Sequence, residues 1–187
     1  MATTTAQIAS ILDALELRHR IKDDGAIIVG FGDLDNYRNR NGEDTIVVVI
    51  RLNEGGEHVS LFAPGAYSVP EREQAAWFAL AALGIQWRTK LIKFEYDQSD
   101  GEVRPTIEVI LEDGVLTHRM LARALKGLVR MIDQTYPIIR NAIDNGVVAF
   151  DQLEAAQSRS LSHLLEGVPP AVLSEALWLA DTHRTCH

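Results

Sequence analysis

Residues 103–146 read VRPTIEVILEDGVLTHRMLARALKGLVRMIDQTYPIIRNAIDNG, and the change of period inside this stretch decides the fold. Its first part, residues 104–112, alternates: Ile107, Val109 and Leu111 share one face, Thr106, Glu108 and Glu112 the other, with Ile110 the exception. A period of two with one apolar side predicts a strand that is buried on one face and wetter on the other. After a short turn the period becomes helical. Leu121, Leu125, Leu128, Ile132, Ile139 and Ile143 alternate three- and four-residue steps, provided that Thr135 or Tyr136 fills the gap. Thr117 is the expected N-cap, with Leu116 before it placed to pack on Leu121. Pro137 cannot donate to the carbonyl of Asp133, so a kink or a two-part helix is expected there, and Gly146 is the expected stop.

Working outward, residues 87–96 (WRTKLIKFEY) form a strand that pairs with 104–112 across the polar turn Asp97-Gln98-Ser99-Asp100-Gly101. A helix precedes it. Ser68 and Glu71 have capping-box spacing, Pro70 suits a first turn, and Gly84 suits a left-handed end. Ala75, Ala76, Ala79, Ala82 and Leu83 give this helix a small-residue face for close packing, with Trp77, Phe78 and Leu80 on its flanks. Earlier still, residues 26–31, 45–52 and 57–62 read as three strands, the middle one (TIVVVIRL) apolar enough for a central strand covered at least in part on both faces. The chain opens on a helix capped by Thr4 and Gln7, carrying Ile8, Ile11, Leu12 and Leu15, and the turn residues 22–25 end it.

Beyond Gly146 two further amphipathic patterns flank Pro169-Pro170, and residues 150–184 read as a helical hairpin with too few apolar positions to fold alone. The expected organisation is therefore an α+β domain over residues 1–147 in the order α-β-β-β-α-β-β-α, an antiparallel sheet packed by helices. A C-terminal helical extension over 148–187 would dock on that domain or on a partner subunit.

With 47% hydrophobic and 24% charged residues the chain has the composition of a globular protein with a real core. A net charge of −8 disfavours non-specific binding to nucleic acid or anionic membrane. The single cysteine, Cys186, excludes an internal disulfide, the first residues do not form a signal peptide, and no apolar run reaches the ~20 residues of a membrane span. Cytoplasmic residence is the default expectation.

No motif carries chemistry with enough specificity to name a reaction. Gly30-Phe31-Gly32 follows a strand but lacks the third glycine and the following helix that a dinucleotide site needs. Asp97 to Glu108 has some calcium-loop spacing, but its glycine falls one place early and its second half is strand-forming. Asp33, Asp35, Glu112 and Asp113 sit where turns want acidic residues. His183, Cys186 and His187 would need a fourth metal ligand, and no Ser or Cys has a nucleophile signature. No catalytic, cofactor-binding or metal residue is assigned, and the protein is read as a non-enzyme. The one candidate site is a stripe on the long helix: Arg119, Arg123, Lys126 and Arg130, at steps of four, three and four opposite the leucines, suited to an acidic partner segment.

Phe94-Glu95-Tyr96-Asp97, Asp100-Gly101-Glu102-Val103, residues 107–117 (IEVILEDGVLT) and the helix end MIDQTYPIIRNAIDNG, in this order of elements, resemble the type III secretion chaperone-like fold and, within it, the YbjN-like family of bacterial regulators. The resemblance spans about residues 6–146. It implies a small, acidic, dimeric protein that binds polypeptide, and it carries no catalytic residues or cofactors with it. The expected function is thus a non-enzymatic protein-binding module, regulatory or chaperone-like, with a homodimer and a polypeptide client as partners and neither nucleic acid nor membrane. A small-molecule sensor or enzyme, with a pocket between the sheet and the C-terminal helices, is the alternative.

Overall fold

Seven antiparallel strands and three helices organise residues 2–151, the part of the chain that the computed structural model describes. The strands are β1 (His19–Ile21), β2 (Ile27–Phe31), β3 (Ile46–Asn53), β4 (His58–Phe62), β5 (Tyr67–Ser68), β6 (Lys93–Tyr96) and β7 (Glu102–Ile110). The helices are α1 (Thr5–Ala14), α2 (Arg72–Arg88) and α3 (His118–Asn145). The fold class is α+β, as the alternation of periods predicts.

The sheet runs β1-β2-β3-β4-β7, and β7 is long enough to take β4 and then β5 along one edge and β6 along the other. Val103 accordingly lies between Tyr67 of β5 and Tyr96 of β6. Register aligns Ile27, Ile50, Leu61 and Ile107 across four strands on the buried face. α3 lies against β4 and β7 on that face, and α2 packs on α3 and β6. Leu121, Leu125, Leu128, Ile132 and Ile139 of α3 are fully buried. Each such side chain contributes roughly 1.5–3 kcal/mol relative to exposure. This is the wall of the core.

Local chemistry sets several boundaries as expected. Thr4 and Gln7 form the complete capping box of α1. The Thr117 hydroxyl accepts the Met120 N–H at 3.2 Å, and Gly146 closes α3 in the left-handed region at φ 64°. Thr135 fills the gap in the leucine stripe: it is fully buried, and its hydroxyl donates to the Met131 carbonyl at 2.6 Å. Pro137 does not divide the helix, which runs continuously from His118 to Asn145.

Other boundaries move, each because a distant partner overrides a local signal. α1 stops at Ala14, and Glu16 adopts φ 58°, so the chain turns out of the helix and His19–Ile21 joins β2 as an edge strand. Residues 22–25 are therefore the β1–β2 turn, closed by Lys22 N–H to the Ala26 carbonyl, and not a helix end. Ser68 does not cap α2. It lies in β5, opposite Glu102, and the next residue, Val69, donates to the Gly101 carbonyl at 2.8 Å. Gly101 (φ 75°) must be glycine, because a Cβ there would meet the Pro70 backbone at 2.8 Å. α2 starts at Arg72 after Glu71, which makes no side-chain cap. It passes through Gly84, where the Arg88 guanidinium binds the glycine carbonyl, and Trp87 is its last turn and not the start of a strand.

The packed face of α2 also differs from the expected one. Phe78, Ala81, Ala82 and Ile85 are buried, whereas Ala76, Ala79, Leu80 and Leu83 face outward. β3 is buried on one face only: Ile46, Val48 and Ile50 are covered, while Val47 is 45% exposed. The hairpin expected over 150–184, like the extension over 148–187 beyond Asp151, lies outside the described residues. The first compact unit of the chain is Met1–Ala149.

Candidate functional site

Arg119, Arg123, Lys126 and Arg130 occupy successive turns of α3, and all four are exposed. The helix presents them outward because Leu121, Leu125, Leu128 and Ile132 are fixed against the sheet on its opposite side. None of the four forms an ion pair among the described residues. Like charges three and four residues apart cost an isolated helix a few tenths of a kcal/mol per pair. The stripe therefore does not serve the stability of the helix that carries it. Farther along, Arg140 is held by Asp144 at 2.6 Å and belongs to a different surface.

That surface is a cleft of about 240 Å³ between the loop at Arg38, Asn39 and Arg40, the chain at Gly65–Ser68, and Tyr136 and Arg140 of α3. Several of the polar groups here are engaged in the framework, while the Arg40 guanidinium and Tyr136 Oη have no hydrogen-bond partner among the described residues. Arg38 donates to the carbonyls of Leu34, Asp35 and Tyr37, Tyr37 Oη donates to the Ala66 carbonyl, and Tyr67 Oη donates to the Ile132 carbonyl. Tyr37, Tyr67 and Tyr136 form an aromatic triangle with centroids 5.2–6.3 Å apart. Burial, and then the neighbouring phenol of Tyr136, push Tyr37 up to about 12; burial pushes Tyr67 higher still. A phenol held protonated in this way is not a base at neutral pH. The cleft brings together no nucleophile with an activating partner.

The outer face of the sheet carries a polar network. Lys93 Nζ reaches Glu95 at 2.9 Å and Glu108 at 2.8 Å, and Arg104 Nε donates to Glu95 at 2.7 Å. The Arg104 guanidinium also covers the Phe62 ring at 5.0 Å. Burial works to raise the Glu95 carboxyl, but the hydrogen bonds from Lys93 and Arg104 outweigh it and hold it below the ordinary value. Ile110 stands at the margin of this network, 73% exposed.

The acidic residues weighed as calcium ligands serve the turn. Asp97 accepts the backbone N–H and the hydroxyl of Ser99, and Asp100 accepts the Glu102 N–H. Asp33 and Glu112 hold left-handed turn positions at φ 58° and 47°. No three His, Cys, Asp or Glu side chains are grouped to hold a metal ion among the described residues; His183, Cys186 and His187 lie outside them.

A surface that the sequence reading missed lies on α2. Leu80 is 56% exposed, Leu83 64% and Trp87 88%, with Ala76 and Ala79 on the same side. The signal was present: no charge occurs between Glu73 and Arg88, so the helix is apolar all round. Such a helix is normally buried on every side. A helix that ends at Gly84, as its glycine suggests, separates this face from Trp87; the observed helix runs on to Arg88 and joins them.

No protein-family model matches the chain, and no curated protein matches it in sequence. Among solved structures, the crystal structure of YbjN from E. coli, a proposed transcription regulator, is similar with a TM-score of 0.53 and 12% identity, over 72% of this chain and 89% of that one. At this identity the likeness concerns the fold. No helix among the described residues is long and apolar enough to cross a membrane.

Proposed function

We propose, taking the fold shared with YbjN as the premise, that this chain is a polypeptide-binding module with no catalytic chemistry of its own, acting as a regulator or chaperone-like protein. The observation that carries the reading is the row Arg119, Arg123, Lys126 and Arg130, exposed and without ion pairs among the described residues, on a helix held rigid by its buried opposite face. The local row of four cations selects an acidic protein segment short enough to meet them alone, whereas nucleic acid, a long polyanion, would also meet the net charge of −8 of the rest of the molecule. Operation in the cytoplasm, and as a homodimer, belongs to this reading.

The test is capture of partners from native lysate by the full chain and by an Arg123→Glu/Arg130→Glu variant, alongside a metabolite thermal-shift screen. The variant should lose the partner with its melting temperature unchanged, and wild-type binding should weaken with added salt. Equal capture by the variant, or a strong metabolite shift without any protein partner, overturns the reading.

A further inference from the structure

Three arginines and no carboxylate line the cleft beside the aromatic triangle: Arg38 and Arg40 from the loop after β2, and Arg140 from α3. In a chain of net charge −8 this concentrates positive charge at one concave place. The carboxylates around it are drawn elsewhere. Asp133 accepts the N–H groups of Asn36 and Tyr37, Glu43 accepts from the Asn39 amide, and Glu102 accepts the Gly65 N–H at 2.6 Å. Among the described residues only Asp144 pairs with one of the three arginines, and it meets a single nitrogen, Nη2 of Arg140. The loop is also built to hold its shape. Arg38 binds three backbone carbonyls, and Asn39 Oδ1 accepts the N–H groups of Asn41 and Glu43. Arg40, next to them, makes no hydrogen bond or ion pair among the described residues. Its guanidinium lies against Gly65, where an added Cβ would meet it at 3.7–3.9 Å. Across the cleft Tyr136 packs its ring on Tyr37 and Tyr67, and its hydroxyl has no partner among the described residues.

We infer that this cleft binds a phosphate monoester. The character of the free groups selects an oxyanion: the Arg40 fork and the uncommitted Nε and Nη1 of Arg140 are donors with no acceptor capacity, and the Tyr136 hydroxyl can donate beside them. The charge selects a dianion. Three arginines, one of them compensated by Asp144, leave two positive charges, which a phosphate monoester matches at neutral pH and a carboxylate does not. Planar guanidinium groups also fit phosphate oxygens in pairs. The size sets the body of the ligand. At about 240 Å³ the cleft lies below the roughly 300–1,000 Å³ of pockets for larger ligands, so it holds the phosphate and a few further atoms beside the Tyr136 ring. With no activated nucleophile present, the site binds the ester and does not cleave it.

The cleft is separate from the cationic row on α3, so it stands or fails independently of the polypeptide reading. Calorimetric titration of the full chain with phenyl phosphate tests it, with benzoate as the singly charged analogue. The ester should bind at least about tenfold more tightly than benzoate at pH 7.5, and the difference should shrink below about pH 6, where the ester loses its second charge. Arg40→Gln and Arg140→Gln should each weaken the ester at least about tenfold, and Tyr136→Phe, which keeps the ring, about threefold. Arg40 is exposed, so Arg40→Gln should melt like the wild type without ligand, which separates loss of the site from unfolding. Arg123→Gln/Arg130→Gln on the stripe should leave the ester's affinity unchanged at about 0.15 M salt, where charges act over only about 8 Å. Two further probes separate the sources of the group. Equal affinity for free O-phosphoserine and for a neutral heptapeptide carrying phosphoserine assigns the site to a small ester; a peptide at least about tenfold tighter assigns it to a phosphorylated segment. No binding of phenyl phosphate by the wild type at about 5 mM, equal affinity for benzoate at pH 7.5, full affinity in Arg40→Gln, or loss of the ester by the stripe variant overturns the inference.

Discussion

The Asp133 carboxylate accepts the backbone N–H of Tyr37 at 2.9 Å, across 96 positions of sequence, and through the same oxygen the N–H of Asn36 at 2.7 Å. One side chain of α3 thus holds the loop after β2, and that loop carries Tyr37 into the aromatic triangle with Tyr67 and Tyr136.

Asp133→Ala should destabilise the domain by about 1–3 kcal/mol, the usual penalty for leaving a part-buried donor without its charged acceptor. Asp133→Asn retains an acceptor oxygen and should lose clearly less. Urea denaturation of the two variants compares them directly, and equal losses would show that charge, not acceptance, matters.

Leu125→Asp places a carboxylate at a fully buried position on the sheet side of α3. The expected loss is at least ~3 kcal/mol, from the desolvation of the charge and the lost packing together. An unchanged melting temperature would mean that the face assignment of α3 is wrong.

Glu95 makes a pH-dependent contribution of definite sign. Its folded carboxyl ionises more readily than the ordinary value of 4.5, so the Lys93–Glu95–Arg104 network stabilises the fold above that value and the stabilisation is lost as pH falls below it. Glu95→Gln should therefore differ most from wild type near neutral pH. The two melting curves should converge as the pH is lowered below 4.5.

Tyr37 acts at the other end of the scale. Its folded phenol titrates at about 12 against an ordinary 10.0, so the folded state retains a proton that the unfolded chain gives up, and stability falls as pH rises between these values. Tyr67 acts in the same direction, through its burial. Tyr37→Phe should cost a constant amount at neutral pH through the lost bond to Ala66, yet lose less than the wild type on going from pH 9 to 11. Parallel losses in the two proteins would contradict the burial of this hydroxyl.

The sequence alone determined what short-range chemistry specifies. The Thr4–Gln7 box, the Thr117 cap, the Gly146 stop and the Asp97–Gly101 hairpin each place their partners within a few residues, so the local chain contains the whole interaction. The leucine stripe of α3 was equally legible, because one polar and one apolar side give a helix a phase, and that phase assigned the core wall and the outward row of cations together. Tertiary structure decided the rest. β1 and β5, three and two residues long, have no period of their own and exist because Val29 and Val103 offer free strand edges. α2 has no phase to read, since apolar residues surround it; contact with α3 and β6 alone selected Phe78, Ala82 and Ile85 for burial. That choice left Leu80, Leu83 and Trp87 in solvent. A helix that is apolar on every side can be packed from any direction, so only its neighbours determine which face remains for a partner.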